Sequence, residues 1–163
     1  MNTLTKQVLA LLLTSACLII GPATAHAGQD DLLSARTTKP FDETLSMAGE
    51  ALEKHGFTVA HVQKCDGGLH AMGYETGHYR VIFFGRLEEV RELSKTHPQL
   101  IPLFPFKLAV YADNNDTVIS VINPAGLGNM LQADPVLKEK LRQWKQEFKD
   151  VLNEIMIQQI AEL

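Results

Sequence analysis

The sequence predicts an α+β domain in which a mostly antiparallel sheet carries its helices on one face. Short alternating apolar segments follow one another as hairpins and do not alternate strictly with helices, which is typical of this class. An apolar stripe with helical spacing then runs from residue 134 to about residue 161 and predicts a long amphipathic C-terminal helix. The 163 residues, 45% apolar and 21% charged, suit one domain.

The N-terminus has the pattern of a cleavable secretory signal. Lys6 precedes an apolar run over residues 8–20, and Gly21-Pro22 ends that run. Ala25 and Ala27 are small residues at the two positions that a signal peptidase reads. A retained anchor is the lesser alternative, because the apolar run is shorter than the roughly 20 residues of a transmembrane helix.

We therefore predict a signal peptide over residues 1–27, cleaved after Ala27. One mature domain over residues 28–163 would then lie in the bacterial periplasm or outside the cell, with no transmembrane anchor left. A lipoprotein anchored through Cys17 is the alternative, but Thr14 stands where a lipoprotein signal has a branched apolar residue.

The charge of the mature chain argues against two classes of partner. Residues 1–27 contain one of the 15 basic residues and none of the 19 acidic ones, so the mature net charge is −5 with histidine neutral. Nucleic-acid binding needs a basic face for the phosphates, and docking on anionic lipid by charge needs the same. We expect neither partner.

The mature chain begins with a strand and a helix. Residues 33–38 alternate moderately and predict the strand. Asp42 is then a candidate N-cap, because its carboxylate can accept the free amide hydrogens of a first helical turn. The helix ends in Lys54-His55-Gly56, where glycine can adopt the left-handed conformation that closes many helices. Its apolar stripe consists of Leu45, Met47, Ala48, Ala51 and Leu52.

Three strands are predicted next. Residues 57–62 alternate with a period of two. Residues 69–74 and 79–84 flank a four-residue connection that suits a hairpin. Residues 81–84 are apolar without a break, which predicts a central strand that is covered on both faces.

A short helix and a second hairpin follow. Residues 87–93 predict a helix that ends at His97-Pro98. Two further prolines mark an extended, irregular connection. Residues 107–111 and 117–122 then predict two strands joined by a tight polar turn, which is a β-hairpin.

The C-terminal helix begins at Asp134-Pro135, where an acidic N-cap precedes proline at the first helical position. Its apolar stripe consists of Leu137, Leu141, Trp144, Phe148, Val151 and Ile155. At 1.5 Å per residue a helix over residues 134–161 is roughly 40 Å long, more than one small sheet needs. The distal residues Met156, Ile157 and Ile160 are therefore candidates for a dimer surface. The alternative is a helix that lies diagonally across the sheet.

An ordered set of segments resembles the DUF302 family, also described as TT1751-like. The segments are Phe41-Asp42-Glu43-Thr44, residues 51–57, residues 79–85, residues 103–111 and Asn123-Pro124. The resemblance covers about residues 41–131. It implies a compact fold related to the TATA-binding-protein-like group, with an antiparallel sheet, helices on one side, and members that pair as dimers. It implies no catalytic residue, because the family has no assigned activity.

Four residues within a short stretch could bind a metal. Cys65, His70, Met72 and His78 offer a thiolate, a thioether and two imidazoles, which suit copper(I) or an axial position on haem. On a strand over residues 69–74, His70 and Met72 would point to the same face. The alternative is that Met72 lies in the core, Cys65 is a small buried apolar residue, and both histidines are exposed.

The expected function is a non-enzymatic binding or accessory module of the periplasm that forms a homodimer. Its small ligand would lie against the open sheet face or under the long helix. The alternative function is a periplasmic redox, metal-handling or haem-handling protein that uses the four residues above. No catalytic residue is predicted, and Gly126-Leu127-Gly128 lacks the strand-to-helix placement of a phosphate-binding loop.

Overall fold

The computed structural model describes residues 31–161, with side chains through residue 157. The predicted signal peptide, its cleavage site and Cys17 lie outside the described residues. The strands are β1 (Leu32–Thr37), β2 (Thr58–Lys64), β3 (Tyr79–Gly85), β4 (Phe106–Asp113) and β5 (Asp116–Ile122). The helices are α1 (Phe41–Lys54), α2 (Asp66–Ala71), α3 (Leu87–Thr96) and α4 (Pro135–Ala161). Two short 3-10 helices, Pro98–Leu103 and Pro124–Gly128, lie in the connections before β4 and after β5.

The five strands form one sheet in the order β1-β5-β4-β3-β2, and every neighbouring pair is antiparallel. The predicted sheet class is therefore confirmed. The β4–β5 hairpin is also confirmed: Asp113 pairs with Asp116 across a two-residue turn. Asn114 in that turn has a φ of 56°, a left-handed conformation that asparagine tolerates better than most residues.

Helices α1 and α4 pack on one face of the sheet and against each other. The sheet contributes Phe84 and Phe106 to this core, and α4 contributes Trp144 and Phe148. The rings of Phe106 and Trp144 lie 4.9 Å apart and those of Phe106 and Phe148 lie 5.1 Å apart, both edge to face. The predicted apolar stripe of α4 is thus the surface that seals this face of the sheet.

The ends of the two long helices depend on particular polar contacts. The carboxylate of Asp134 accepts a 2.7 Å hydrogen bond from the amide of Leu137, as predicted for an N-cap. At the end of α1, Gly56 has a φ of 76°, and the amide of Phe57 donates to the carbonyl of Leu52 at 2.9 Å. This is the Schellman arrangement, which requires a residue in the left-handed conformation.

The prediction that Asp42 caps α1 is wrong. The helix begins at Phe41, and the amide of Thr44 already donates to the carbonyl of Pro40 at 2.9 Å. Asp42 therefore lies inside the first turn. Its charge still faces the positive end of the helix dipole there, but its side chain caps no amide.

The prediction of a strand over residues 69–74 is also wrong, because this segment begins inside α2. β2 pairs directly with β3, with Val62 opposite Ile82 and Lys64 opposite Arg80. The chain between these two strands therefore takes no part in their pairing. It pairs with no strand of the sheet, and it folds as a short exposed helix and a loop.

Coverage of β3 differs from the prediction as well. Ile82 and Phe84 are buried beneath the helices, but Val81 and Phe83 on the opposite face are only half-buried. β3 is internal to the sheet, and its unbroken apolar run reflects two different environments. One is the helix-covered core, and the other is the open face described next.

Candidate functional site

A shallow groove crosses the sheet on the face opposite α1 and α4. Its floor is a row of small side chains from β3, β4 and β5, and the row continues beside the groove to Ser34 of β1. Val81 pairs with Ala109, Ala109 with Ser120, and Ser120 with Ser34. Directly paired residues of antiparallel strands point to the same face, so these four side chains stand in line from β3 to β1.

Larger side chains rise on both sides of this row. Tyr79 and Tyr111 pair across β3 and β4 on one side. Lys107 stands on the other side, together with the pair formed by Leu32 and Ile122. All five line the groove, which has a volume of about 690 Å³. The groove exists because a row of small residues lies between two rows of large ones.

The segment between α2 and β3 bounds one end of the groove. Leu69 of α2 and residues 76–78 line it there. A Cβ atom on Gly77 would lie 3.4 Å from the Cβ atom of Ala112, which is van der Waals contact, so this segment packs directly beside β4. The amide of Ala112 donates to the carbonyl of His78 at 2.9 Å and holds the two together.

The groove carries few polar groups, and one of them is cationic. Of the described side chains that line it, Lys107 alone carries a fixed charge. Its ammonium group donates to the carbonyls of Pro102 and Leu103, at 3.5 and 3.4 Å. On the floor, the hydroxyl of Ser120 forms a 2.9 Å hydrogen bond with that of Ser34, which lies beside the groove.

Tyr79 adds a phenol that stays protonated at physiological pH. Burial raises its pKa above the ordinary value of 10.0, and the nearby thiol group of Cys65 raises it further when ionised. A neutral phenol can donate or accept a hydrogen bond. The groove is therefore apolar over most of its surface, with hydroxyl groups on the floor and one wall and an ammonium group on the other.

Comparison with known proteins identifies the family. The family model described as "Domain of unknown function DUF302" matches residues 33–155. The chain belongs to the DUF302 family. This match contains the segment over residues 41–131 on which the resemblance in the sequence rests. None of the curated proteins compared with this DUF302 chain matches it.

A solved structure shows the same fold. The crystal structure of an uncharacterized conserved DUF302 protein from Bacillus stearothermophilus superposes with a TM-score of 0.70 at 22% identity. The alignment covers 76% of the present chain and 97% of that protein. At this identity the likeness establishes the fold alone. In the part of the chain that the structure describes, no helix has the length and apolar character needed to cross a membrane.

The DUF302 domain places the predicted metal-binding residues around α2. Cys65 is half-buried at the end of β2, and its thiol lies 3.8 Å from the carbonyl of Gln63. His70 is exposed on α2, and its Nε2 atom lies 3.0 Å from the carbonyl oxygen of Thr76. The imidazole therefore ties the loop after α2 to the helix.

The other two residues of the set point elsewhere. Met72 follows α2 and is 73% exposed, so it does not lie in the core. His78 lines the groove, stacks on the ring of Phe41 at 5.1 Å, and has its Nδ1 atom 3.7 Å from a carboxylate oxygen of Asp66. Within residues 31–161, no three histidine, cysteine, aspartate or glutamate side chains form a group that could hold a metal. The copper or haem site stays a prediction.

An ion pair that the sequence did not predict holds α2 to the sheet. The guanidinium of Arg80 donates to Asp66 at 2.6 Å, and it lies 5.6 Å from the centre of the Phe41 ring. This bond lowers the pKa of Asp66 from 3.8 to about 2, partial burial opposes the shift, and the amide of Gly67 adds to it. Asp66 and Arg80 are 14 positions apart, so no local pattern pairs them.

The sequence also did not predict that residues of the open sheet face form a groove. Lys107, Ala109 and Tyr111 occupy alternate positions of a predicted strand, which places them on one face. The alternation did not show that Ala109 would stand between Val81 and Ser120. That alignment depends on the register of three strands, and only the folded sheet supplies it.

Proposed function

We propose that this DUF302 domain is a non-enzymatic ligand-binding or accessory module of the bacterial periplasm, and that its ligand lies in the groove on the open sheet face. The groove itself carries the proposal. Small-molecule sites are typically concave, mostly apolar and a few hundred to a thousand cubic ångströms in volume, with a small number of polar groups. A groove of about 690 Å³ is in this range.

The apolar walls supply a driving force for binding. Leu32 and Ile122 are each at least half exposed, and Tyr111 is also exposed. A ligand that covers them removes apolar surface from water, which is worth roughly 25 cal/mol for each square ångström. The hydroxyls of Ser120 and Tyr111 offer hydrogen bonds that can orient the ligand.

A second cavity provides a matched control. It has a volume of about 480 Å³, lies beside α3, and is lined by Ala60 of β2, Leu87, Val90 and Ile101 among others. Ala60 and Ala109 are both alanines on strands of the same sheet. Ala109→Phe therefore fills the groove and leaves the second cavity open, and Ala60→Phe does the reverse.

The binding experiment uses N-phenylnaphthylamine, a neutral apolar dye that fluoresces when it leaves water. We expect the folded mature domain to bind the dye, Ala109→Phe to weaken binding at least about 10-fold, and Ala60→Phe to leave it unchanged. Circular dichroism and thermal unfolding establish that both variants fold. Binding that is insensitive to Ala109→Phe, or lost equally in both variants, would contradict a ligand in the groove.

The location is proposed from residues 1–27. Expression of the full chain in a bacterial host, followed by fractionation, should recover it in the periplasm. N-terminal sequencing should begin at Gly28 if cleavage follows Ala27. Retention in the cytoplasm with residues 1–27 intact would contradict export, and a lipid-modified Cys17 would support the lipoprotein alternative.

We also propose that the domain forms a homodimer through the distal part of α4. Ile157 is 60% exposed there. Met156 lines a cleft of about 560 Å³ together with Leu33 of β1. β1 is an edge strand of the sheet, and edge strands of this kind pair readily with a second chain. The side chain of Ile160, the third residue predicted for this surface, lies outside the described side chains.

A further inference from the structure

We infer that the groove selects an apolar molecule with one negative charge, such as a carboxylate or sulfonate attached to a ring system or a chain. This inference rests on the proposed function and adds the charge of the ligand to it. The anionic group would lie at the Lys107 ammonium, and the apolar part would cover the floor formed by Val81 and Ala109.

The first argument is that Lys107 has no acidic partner. Among the described residues, no carboxylate comes within 4.0 Å of its ammonium group, and its nearest acceptors are two backbone carbonyls at 3.4 and 3.5 Å. Many other cationic side chains of the domain have an acidic partner. Arg36 is paired with Asp113 and Asp116, and Arg80 is paired with Asp66.

The second argument is that the carboxylates of the nearby hairpin turn share an arginine partner, which compensates part of their charge. Asp113 and Asp116 close the β4–β5 hairpin beyond Tyr111, and the guanidinium of Arg36 contacts both. No acidic side chain lines the groove among the described residues. A ligand carboxylate at Lys107 would therefore meet an uncompensated positive charge, although the mature chain as a whole has a net charge of −5.

The third argument concerns the position of Lys107 relative to the apolar surface. Lys107 pairs with Phe83 on the open face, and its side chain stands in the wall that also contains Leu32 and Ile122. Lysine buries its methylene groups along such surfaces while the ammonium group stays at the rim. An amphiphilic anion fits this arrangement, with its apolar part in the groove and its charge at the rim.

The test compares two probes that differ by one charged group. Anilinonaphthalene sulfonate and N-phenylnaphthylamine share the same ring system, and only the former carries a sulfonate. We expect the wild type to bind the sulfonate more tightly than the neutral dye. Lys107→Met should weaken binding of the sulfonate about 10-fold and should change the affinity for the neutral dye by less than about twofold. Lys107→Arg should restore the preference, and added salt should weaken the sulfonate alone.

Control variants separate the possible results. Lys95→Met removes one exposed positive charge from α3, away from the groove, and should change neither probe. Equal loss of both probes in Lys107→Met, or an unchanged preference for the sulfonate, would overturn the inference while leaving the groove as a binding site. Failure of both probes to bind the wild type, or binding unaffected by Ala109→Phe, would overturn the proposed function as well.

Discussion

Arg80 on β3 donates a 2.6 Å hydrogen bond to Asp66 on α2, and both side chains are only 13% exposed. The pair connects the short helix to the sheet at one end of the groove. Leu69 and His78, which line that end, both lie between these two residues along the chain. The position of α2, and with it one boundary of the candidate site, therefore depends on an ion pair.

The low pKa of Asp66 makes stability depend on pH in the acid range. The carboxyl titrates near 2 in the folded protein and near 3.8 when the chain is unfolded, so the unfolded state binds more protons between these values. Stability that Asp66 contributes above pH 4 is therefore lost as the pH falls from about 4 to about 2. In urea, the free energy of unfolding should be larger for wild type than for Asp66→Asn at neutral pH. This difference should shrink as the pH falls from about 4 to about 2. A difference that does not vary with pH would contradict the pairing.

Gly49 inside α1 and Gly56 just after it should respond to alanine in opposite directions. Gly56 has a φ of 76°, and alanine there should destabilise the domain by about 1 kcal/mol or more. Gly49 lies inside the helix, and an added Cβ atom would meet nothing within 4 Å. Gly49→Ala should therefore stabilise the domain by about 0.5–1 kcal/mol. Chemical denaturation measures both free energies of unfolding, and effects of the same sign would contradict a left-handed Gly56 after α1.

The proposed dimer predicts that Ile157→Asp yields a monomer. A buried aspartate without a partner would make the free energy of dimer association less favourable by several kcal/mol, which is enough to dissociate most small interfaces. Val136 is the matched control, because it is 74% exposed at the opposite end of the same helix. Light scattering should show a dimer for wild type and Val136→Asp. A monomeric wild type, or a dimer that survives Ile157→Asp, would refute this interface.

The copper or haem alternative has a direct test in protein isolated from its native host. A ligand-binding module should contain no stoichiometric copper and show no Soret band. Stoichiometric metal that is lost in Cys65→Ser, His70→Ala or Met72→Ala would instead establish the alternative function. His70→Ala should in any case loosen the loop that contains Thr76, which hydrogen exchange can detect, because the imidazole contacts the backbone there.

The elements that the sequence predicts correctly depend on short-range chemistry. The β4–β5 hairpin follows from polar turn residues between two alternating segments, and α4 follows from Asp134-Pro135 and an apolar repeat of three and four. Each depends on residues that are close in sequence. The prediction of a strand over residues 69–74 is wrong because a six-residue alternation is equally compatible with a short exposed helix. In the fold, β2 pairs directly with β3, and this segment stays outside the sheet.

Alternation of apolar and polar residues along each strand is enough to predict one covered and one open face, since side chains of a strand alternate with a period of two. The antiparallel class, the long terminal helix and the family resemblance all follow from the chain as written. The neighbours and register of each strand depend on packing beneath α1 and α4, between residues far apart in the sequence. Only that register sets Ala109 between Val81 and Ser120, and so only the folded sheet forms the groove beside Lys107.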